Sequence, residues 1–171
     1  TGPDLAAGRV YGLYGNQFAR AAADVVKRAT RVLAPPTRTN LICIAAPGGG
    51  RGPYWRKDLE RILVTAYTGF AAAAAESRRT WPGTAVEVRT GFWGCGAFGG
   101  NRRAMTLLQL LAARLAGVDR LRFYAFDAAG ELAFKDGEAS ARAVVDGTDR
   151  LGEVLDRIED LDYEWGVSDG N

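Results

Sequence analysis

A run of glycines set between a strand and a helix constrains this chain more than any other feature. Residues 90–100 read Thr-Gly-Phe-Trp-Gly-Cys-Gly-Ala-Phe-Gly-Gly, five glycines in eleven residues. Just before it, residues 85–90 are rich in β-branched side chains and bounded by Pro82-Gly83, which predicts a strand. Just after it, Leu107, Leu108, Leu111 and Leu115 recur at helical spacing and predict a helix over residues 104–116. Such a turn gathers unshielded backbone N–H groups at the positive end of a helix dipole, the physical make-up of a phosphate cradle. Trp93 and Phe98 would offer flat apolar faces to a ribose or a base. The plainer alternative, a glycine-rich connection with two aromatics tucked into the core, stays open, because strand–loop–helix turns are common.

The chain has 171 residues, enough for one domain with a real core. Residues 1–171 therefore read as a single domain, with 1–16 and 163–171 irregular. A net charge of +2 argues against direct nucleic-acid binding by bulk electrostatics and leaves room only for a local patch. Two cysteines, Cys43 and Cys95, are too few for a disulfide framework, which points to a reducing cytoplasm. No apolar run approaches membrane-spanning length and no signal-peptide pattern opens the chain. Histidine is absent. That excludes Ser-His-Asp and Cys-His catalysis, histidine zinc sites and histidine bases, and neither a metal nor a cofactor is expected. Any chemistry falls to carboxylates, tyrosine, lysine or thiols.

In chain order, Tyr11 and Tyr14 in an N-terminal Gly/aromatic stretch are either a lid over a base or packing residues at a turn. A helix is predicted over residues 17–33, with Phe18, Ala22, Val25, Val26, Ala29 and Val32 as its apolar stripe and Pro35-Pro36 as its stop. The apolar run 41–46 predicts a strand buried on both faces. Residues 47–53, Pro-Gly-Gly-Gly-Arg-Gly-Pro, are an anion loop or a flexible connection. A helix over 55–75 buries Leu59, Ile62, Leu63, Ala66 and Phe70. Gly117 is a good residue to follow a helix, residues 121–126 predict a buried strand, and residues 131–134 an edge strand. A charged helix near the C-terminus carries Leu151, Val154, Leu155, Ile158 and Leu161 on one face, and residues 166–171 look frayed. Alternating strands and helices imply an α/β fold with a mostly parallel sheet between helices.

Residues 91–100, Gly-Phe-Trp-Gly-Cys-Gly-Ala-Phe-Gly-Gly, resemble the ligand loop of poly(ADP-ribose) glycohydrolases. That family typically reads Thr-Gly-Asn-Trp-Gly-Cys-Gly-Ala-Phe-Gly-Gly-Asp on a macrodomain fold. The resemblance runs on through Leu107-Leu108-Gln109-Leu110-Leu111-Ala112-Ala113 and Arg122-Phe123-Tyr124-Ala125-Phe126, and back over Ala66-Tyr67-Thr68-Gly69-Phe70. It implies a macrodomain-like, mostly parallel (mixed) sheet flanked by helices and shortened at its N-terminal side. The implied ligand is ADP-ribose or an ADP-ribosylated macromolecule, held by Phe92, Trp93, Gly94, Cys95, Gly96, Ala97, Phe98, Gly99 and Gly100, with Tyr14 and Phe126 as candidate adenosine contacts.

The family's reaction, cleavage of an O-glycosidic bond, needs a carboxylic acid to protonate the leaving oxygen. Its acid lies in a Gln-Glu-Glu segment that this chain does not contain, since the resemblance covers roughly the C-terminal half of the family's domain. Gly48-Gly49-Gly50 followed by Glu60 imitates that segment, yet Glu60 sits in the helix leading to residues 66–70, where a solvated charge is the commoner outcome. Phe92 and Asn101 stand where the family has asparagine and aspartate. Three readings follow. One is a divergent, catalytically degenerate domain that binds ADP-ribose or a related nucleotide diphosphate. Another is an active glycosidase whose acid comes from a partner chain, a missing N-terminal segment or Glu60. The third is a structural or partner-binding protein that has lost the pocket. Arg102 and Arg103 beside the loop are either phosphate-attracting or ordinary first-turn surface residues.

Overall fold

The computed structural model describes residue 13, residues 15–36 and residues 40–169. They group into two compact units, one drawn from residues 1–41 and 169–171 and the other Ile42–Ser168.

The first unit contributes helices α1 (Gly15–Arg20) and α2 (Ala23–Ala29). The single helix expected over residues 17–33 is thus broken at Ala21-Ala22, where Ala22 is extended, and ends well before Pro35. The reason is packing. No α2 side chain is buried, and Phe18 and Val32 of the expected stripe lie exposed. A helix with no apolar face to bury is marginal at any length below about 12–15 residues.

The second unit is built on α3 (Arg56–Thr80), β1 (Glu87–Gly91), α4 (Arg102–Leu115), β2 (Arg120–Tyr124), α5 (Ala128–Val144) and α6 (Leu151–Glu159). α3 buries Leu59, Ile62, Leu63, Ala66 and Phe70, the residues its periodicity singled out, and runs through the alanine tract to Thr80. α4 is buried nearly all round, including Met105, Leu107, Leu108 and Ala112, because α3 and α5 pack on it from different sides. Gly117 takes φ +64 and ends α4 as expected. α6 buries Val154, Leu155 and Ile158, while Leu151 and Leu161 at its ends stay exposed.

Among the described residues the sheet consists of β1 and β2, which pair in parallel with Glu87 opposite Arg120 and Gly91 opposite Tyr124. Right-handed crossover through α4 is what a parallel pair requires. Three expectations need correction. Residues 41–46 form no strand. Leu41, Ile42 and Cys43 are exposed, and Ile42 and Ile44 lean instead on α3 at Gly69, where a Cβ would lie 2.7 Å from Ile44 Cγ2. Among the described residues no neighbouring strand offers this run its backbone partners, so apolar content alone did not make it part of a sheet. The second strand is half-exposed, with Leu121 and Phe123 turned inward and Arg120, Arg122 and Tyr124 outward, because a two-stranded sheet with helices on one face leaves the other wet. Residues 131–134 lie inside α5, whose start is fixed by the Asp127 carboxylate accepting from the Gly130 N–H at 2.6 Å.

Candidate functional site

The glycine-rich loop leaves β1 at Gly91 and is locked at that point by Gln109 of α4. The Gln109 amide nitrogen donates to the carbonyls of Gly91 at 3.0 Å and Met105 at 3.1 Å, and its oxygen accepts from the Thr90 hydroxyl at 2.6 Å. Within the loop, Trp93 N donates to Gly91 O, Cys95 N to Phe92 O and Gly99 N to Gly96 O. Gly100 N donates to Gly94 O at 2.9 Å and closes the loop into a ring. Gly94 (φ +76) and Gly99 (φ +61) occupy the left-handed region, where side chains are strained. At Gly100 a Cβ would lie 2.8 Å from Gly94 O, so the ring closes only around a glycine. With those bonds made, the N–H groups of Gly94, Gly96, Ala97 and Phe98 have no partner among the described residues. The indole N–H of Trp93 is likewise buried without an acceptor.

The other glycine loop, residues 47–53, packs directly on this ring. A Cβ on Gly49 would stand 2.6 Å from Phe98 O, and Ala46 and Pro47 lie against Gly94. The C-terminal segment forms the third wall. Trp165 stacks on Tyr54 at 4.2 Å and 16° and lies against Gly50. Trp165 N donates to Gly52 O at 2.9 Å, and the Ser168 hydroxyl donates to Ala97 O at 2.7 Å. Residues 166–168, expected to fray, are therefore tied to the loop by backbone that only Gly99 lets approach so closely. Between these walls opens a cavity of about 500 Å³ lined by Gly49, Arg51, Ala97, Phe98, Trp165 and Ser168, among others. Its volume is in the range of small-molecule pockets. Arg51, the cation among the cavity's lining residues, has no ion pair or hydrogen bond among the described residues.

The start of α4 contributes less than a helix N-terminus beside a glycine loop suggests. Asn101 is its N-cap, and its side-chain oxygen accepts from Arg103 N at 3.0 Å and Ala104 N at 3.2 Å. Two first-turn amides are thereby occupied by the chain's own side chain. Available donors are those of the loop itself.

The residues singled out from sequence fall in three places. Ala97 and Phe98 line the cavity, and Phe98 is 46% exposed. Trp93 and Cys95 pack against the core, and burial pushes the Cys95 thiol up to about 12. Phe92 turns toward the sheet, edge-on to Phe123 at 5.0 Å, with the Arg102 guanidinium over its ring. Arg102 also pairs with Asp127 and Arg103 with Asp136. Phe126 is 77% exposed, takes φ +67, and holds its ring over Gly91. Glu60 lies half-exposed on α3, paired with Arg56 at 2.8 Å, and is not among the cavity's lining residues. Cys43 is exposed. Tyr11 and Tyr14 lie outside the described residues.

Sequence reasoning missed Tyr54, Gln109 and Trp165. Gln109 carried a signal, a lone amide at a helical position surrounded by leucines. Trp165 carried another, an aromatic isolated in a polar tail. Among the described residues no three His, Cys, Asp or Glu side chains cluster as a metal site, and no helix is long and apolar enough to cross a membrane.

Compared with known protein families, residues 10–132 match the family model described as poly(ADP-ribose) glycohydrolase (PARG), macro domain fold.

Proposed function

The chain belongs to the poly(ADP-ribose) glycohydrolase family, with its macro domain fold, and on that premise we propose that it binds ADP-ribose or a related nucleoside diphosphate through the loop at residues 92–100. The observation that carries this reading is the set of N–H groups on Gly94, Gly96, Ala97 and Phe98 that have no partner among the described residues, held by a ring already closed on itself, with Ala97 and Phe98 lining the cavity. Donors fixed before the ligand arrives bind without an ordering penalty. A pyrophosphate would accept from them, Arg51 would supply charge at the rim, and Phe98 would lie along a ribose or base.

Binding is favoured over hydrolysis by what lines the cavity. No Asp or Glu is among its lining residues, and glycosidic cleavage needs a carboxylic acid at the leaving oxygen. Titration calorimetry with ADP-ribose, on the wild type and on Phe98→Ala, tests the reading. The wild type is expected to bind one equivalent, and the variant about tenfold more weakly, as for the loss of one aromatic stacking contact of about 1–3 kcal/mol. No heat with millimolar ADP-ribose would refute it. A release assay on a poly(ADP-ribose)-modified protein is expected to show no product. Release that disappears in Glu60→Ala would establish the glycosidase instead.

A further inference from the structure

The two faces of the β1–β2 pair are unlike. Val88 and Leu121 turn one face to the helices. Alternation along the strands and their register put Glu87, Arg89 and Gly91 of β1 beside Arg120, Arg122 and Tyr124 of β2 on the other. On that face one carboxylate meets three guanidiniums, with Arg89 Nε at 3.0 Å, Arg122 Nε at 3.1 Å and Arg120 Nη1 at 3.4 Å. The Glu87 side chain is 22% exposed, whereas those of Arg89, Arg120 and Arg122 are 66%, 70% and 50% exposed. The acid therefore lies beneath and the cations face solvent. Glu87 neutralises one of the three, which leaves an excess of two positive charges, as many as the formal net charge of the whole chain. The small overall charge thus hides a concentrated patch.

Two exposed rings close the same face at its C-terminal end. Tyr124 lies opposite Gly91, and Phe126, in a left-handed conformation that disfavours non-glycine residues, holds its ring 3.3 Å from where a Gly91 Cβ would be. Gly91 is also the first residue of the ligand loop. Guanidinium forks suit phosphate oxygens and flat rings suit bases, and the two together are the make-up of surfaces that track single-stranded polynucleotides.

We propose that this face is a second binding surface, which takes the phosphates and bases of a linear nucleoside-diphosphate polymer where it runs out of the loop along the strands. Tyr124 is four residue steps beyond Arg120, so the track is about 13 Å long at a strand's rise of about 3.3 Å per residue. The identity of the polymer rests on the loop reading above, while the surface itself rests on the arginines and the rings.

The test compares ADP-ribose with size-fractionated poly(ADP-ribose) on the wild type, on Arg120→Ser/Arg122→Ser and on Glu87→Gln. The double variant leaves Arg89 to pair with Glu87, and thermal denaturation checks that all three proteins are folded. Polymer affinity is expected to fall about tenfold in the double variant, with monomer affinity held within about twofold. Its log–log salt dependence should become shallower by roughly 1–2, as about 0.7–0.9 per phosphate contact implies. Glu87→Gln should bind polymer more tightly, since it removes the one neutralising charge. Unchanged polymer binding in the double variant would overturn the proposal, and so would equal affinity for a single-stranded RNA of matched charge. Should the wild type bind polymer but not monomer, with the double variant losing polymer, the loop reading fails and the surface stands.

Discussion

The phenol oxygen of Tyr54 accepts a hydrogen bond from the backbone N–H of Asn101 at 2.9 Å, joining the residue before the N-cap of α3 to the residue that caps α4. Tyr54 is buried, and burial pushes its hydroxyl up to about 12, so it stays a neutral phenol at all ordinary pH. Its ring stacks on Trp165, its own N–H donates to Tyr163 O, and the Asn101 side-chain amide donates to Glu164 O. One contact therefore ties together the end of the glycine ring, the start of α4 and the C-terminal wall of the cavity.

Tyr54→Phe removes only the oxygen and leaves the Asn101 N–H unpaired, which should destabilise the fold by about 1–3 kcal/mol. Asn101→Ala, which uncaps α4, should do so by about 0.5–2 kcal/mol. Urea denaturation of the two single variants and the double variant checks both. Asn101→Ala keeps the backbone N–H that bonds to Tyr54, but both changes loosen the same start of α4, so the combined loss should be smaller than the sum of the single ones.

Gln109 is the hinge pin between β1 and α4. Gln109→Leu would strand the Thr90 hydroxyl and take from the Gly91 carbonyl one of its bonds, leaving the one from Trp93 N. A loss of about 1–3 kcal/mol in chemical denaturation is expected. Titration with ADP-ribose should also show weaker binding, because the first residue of the loop is no longer held.

Acid should loosen the outer face of the sheet. Hydrogen bonds from Arg122 and then Arg89 pull the Glu87 carboxyl from its ordinary 4.5 down to about 2. A folded-state value below the unfolded one means that its contribution is complete above about 4.5 and is lost as pH falls toward about 2. Thermal melts between pH 5 and pH 2 should therefore show a drop that is smaller in Glu87→Gln. Equal pH profiles for the two proteins would count against the cluster.

The two thiols should behave differently. Cys43 is exposed, whereas Cys95 is packed in the loop with its thiol pushed up from 9.0 to about 12 by burial, which Arg102 only partly offsets. Alkylation of the native protein at pH 8 should modify Cys43 and spare Cys95, since the thiolate is the reactive form. Unfolding in denaturant should release the second thiol.

The parts legible in the sequence were those where one local signal sufficed. The leucines of α4 and the apolar stripe of α3 marked buried helices, and the glycines of 91–100 marked a turn between strand and helix. The family could be read from the same stretch. Illegible parts depended on partners distant in the chain. The run 41–46 has a strand's composition, but strand formation needs a neighbour. Residues 131–134 have strand-like chemistry, but the Asp127 cap sets a helix in motion through them. The phosphate-cradle picture counted on the start of α4, and a single side chain, Asn101, already occupies two of its amides. Beyond the lone aromatic signal of Trp165, nothing local foretold that residues 165–168 would wall the cavity, since Trp165 finds Tyr54 across more than a hundred residues.

Amide chemical shifts of ¹⁵N-labelled protein titrated with ADP-ribose, with orthophosphate as the control, interrogate the loop donors one by one. Saturable, one-site shifts centred on Gly94, Gly96, Ala97 and Phe98 are expected, far smaller with orthophosphate. Those four amides standing still at millimolar ADP-ribose, or shifting no more than the amides of α6, would contradict binding through the loop.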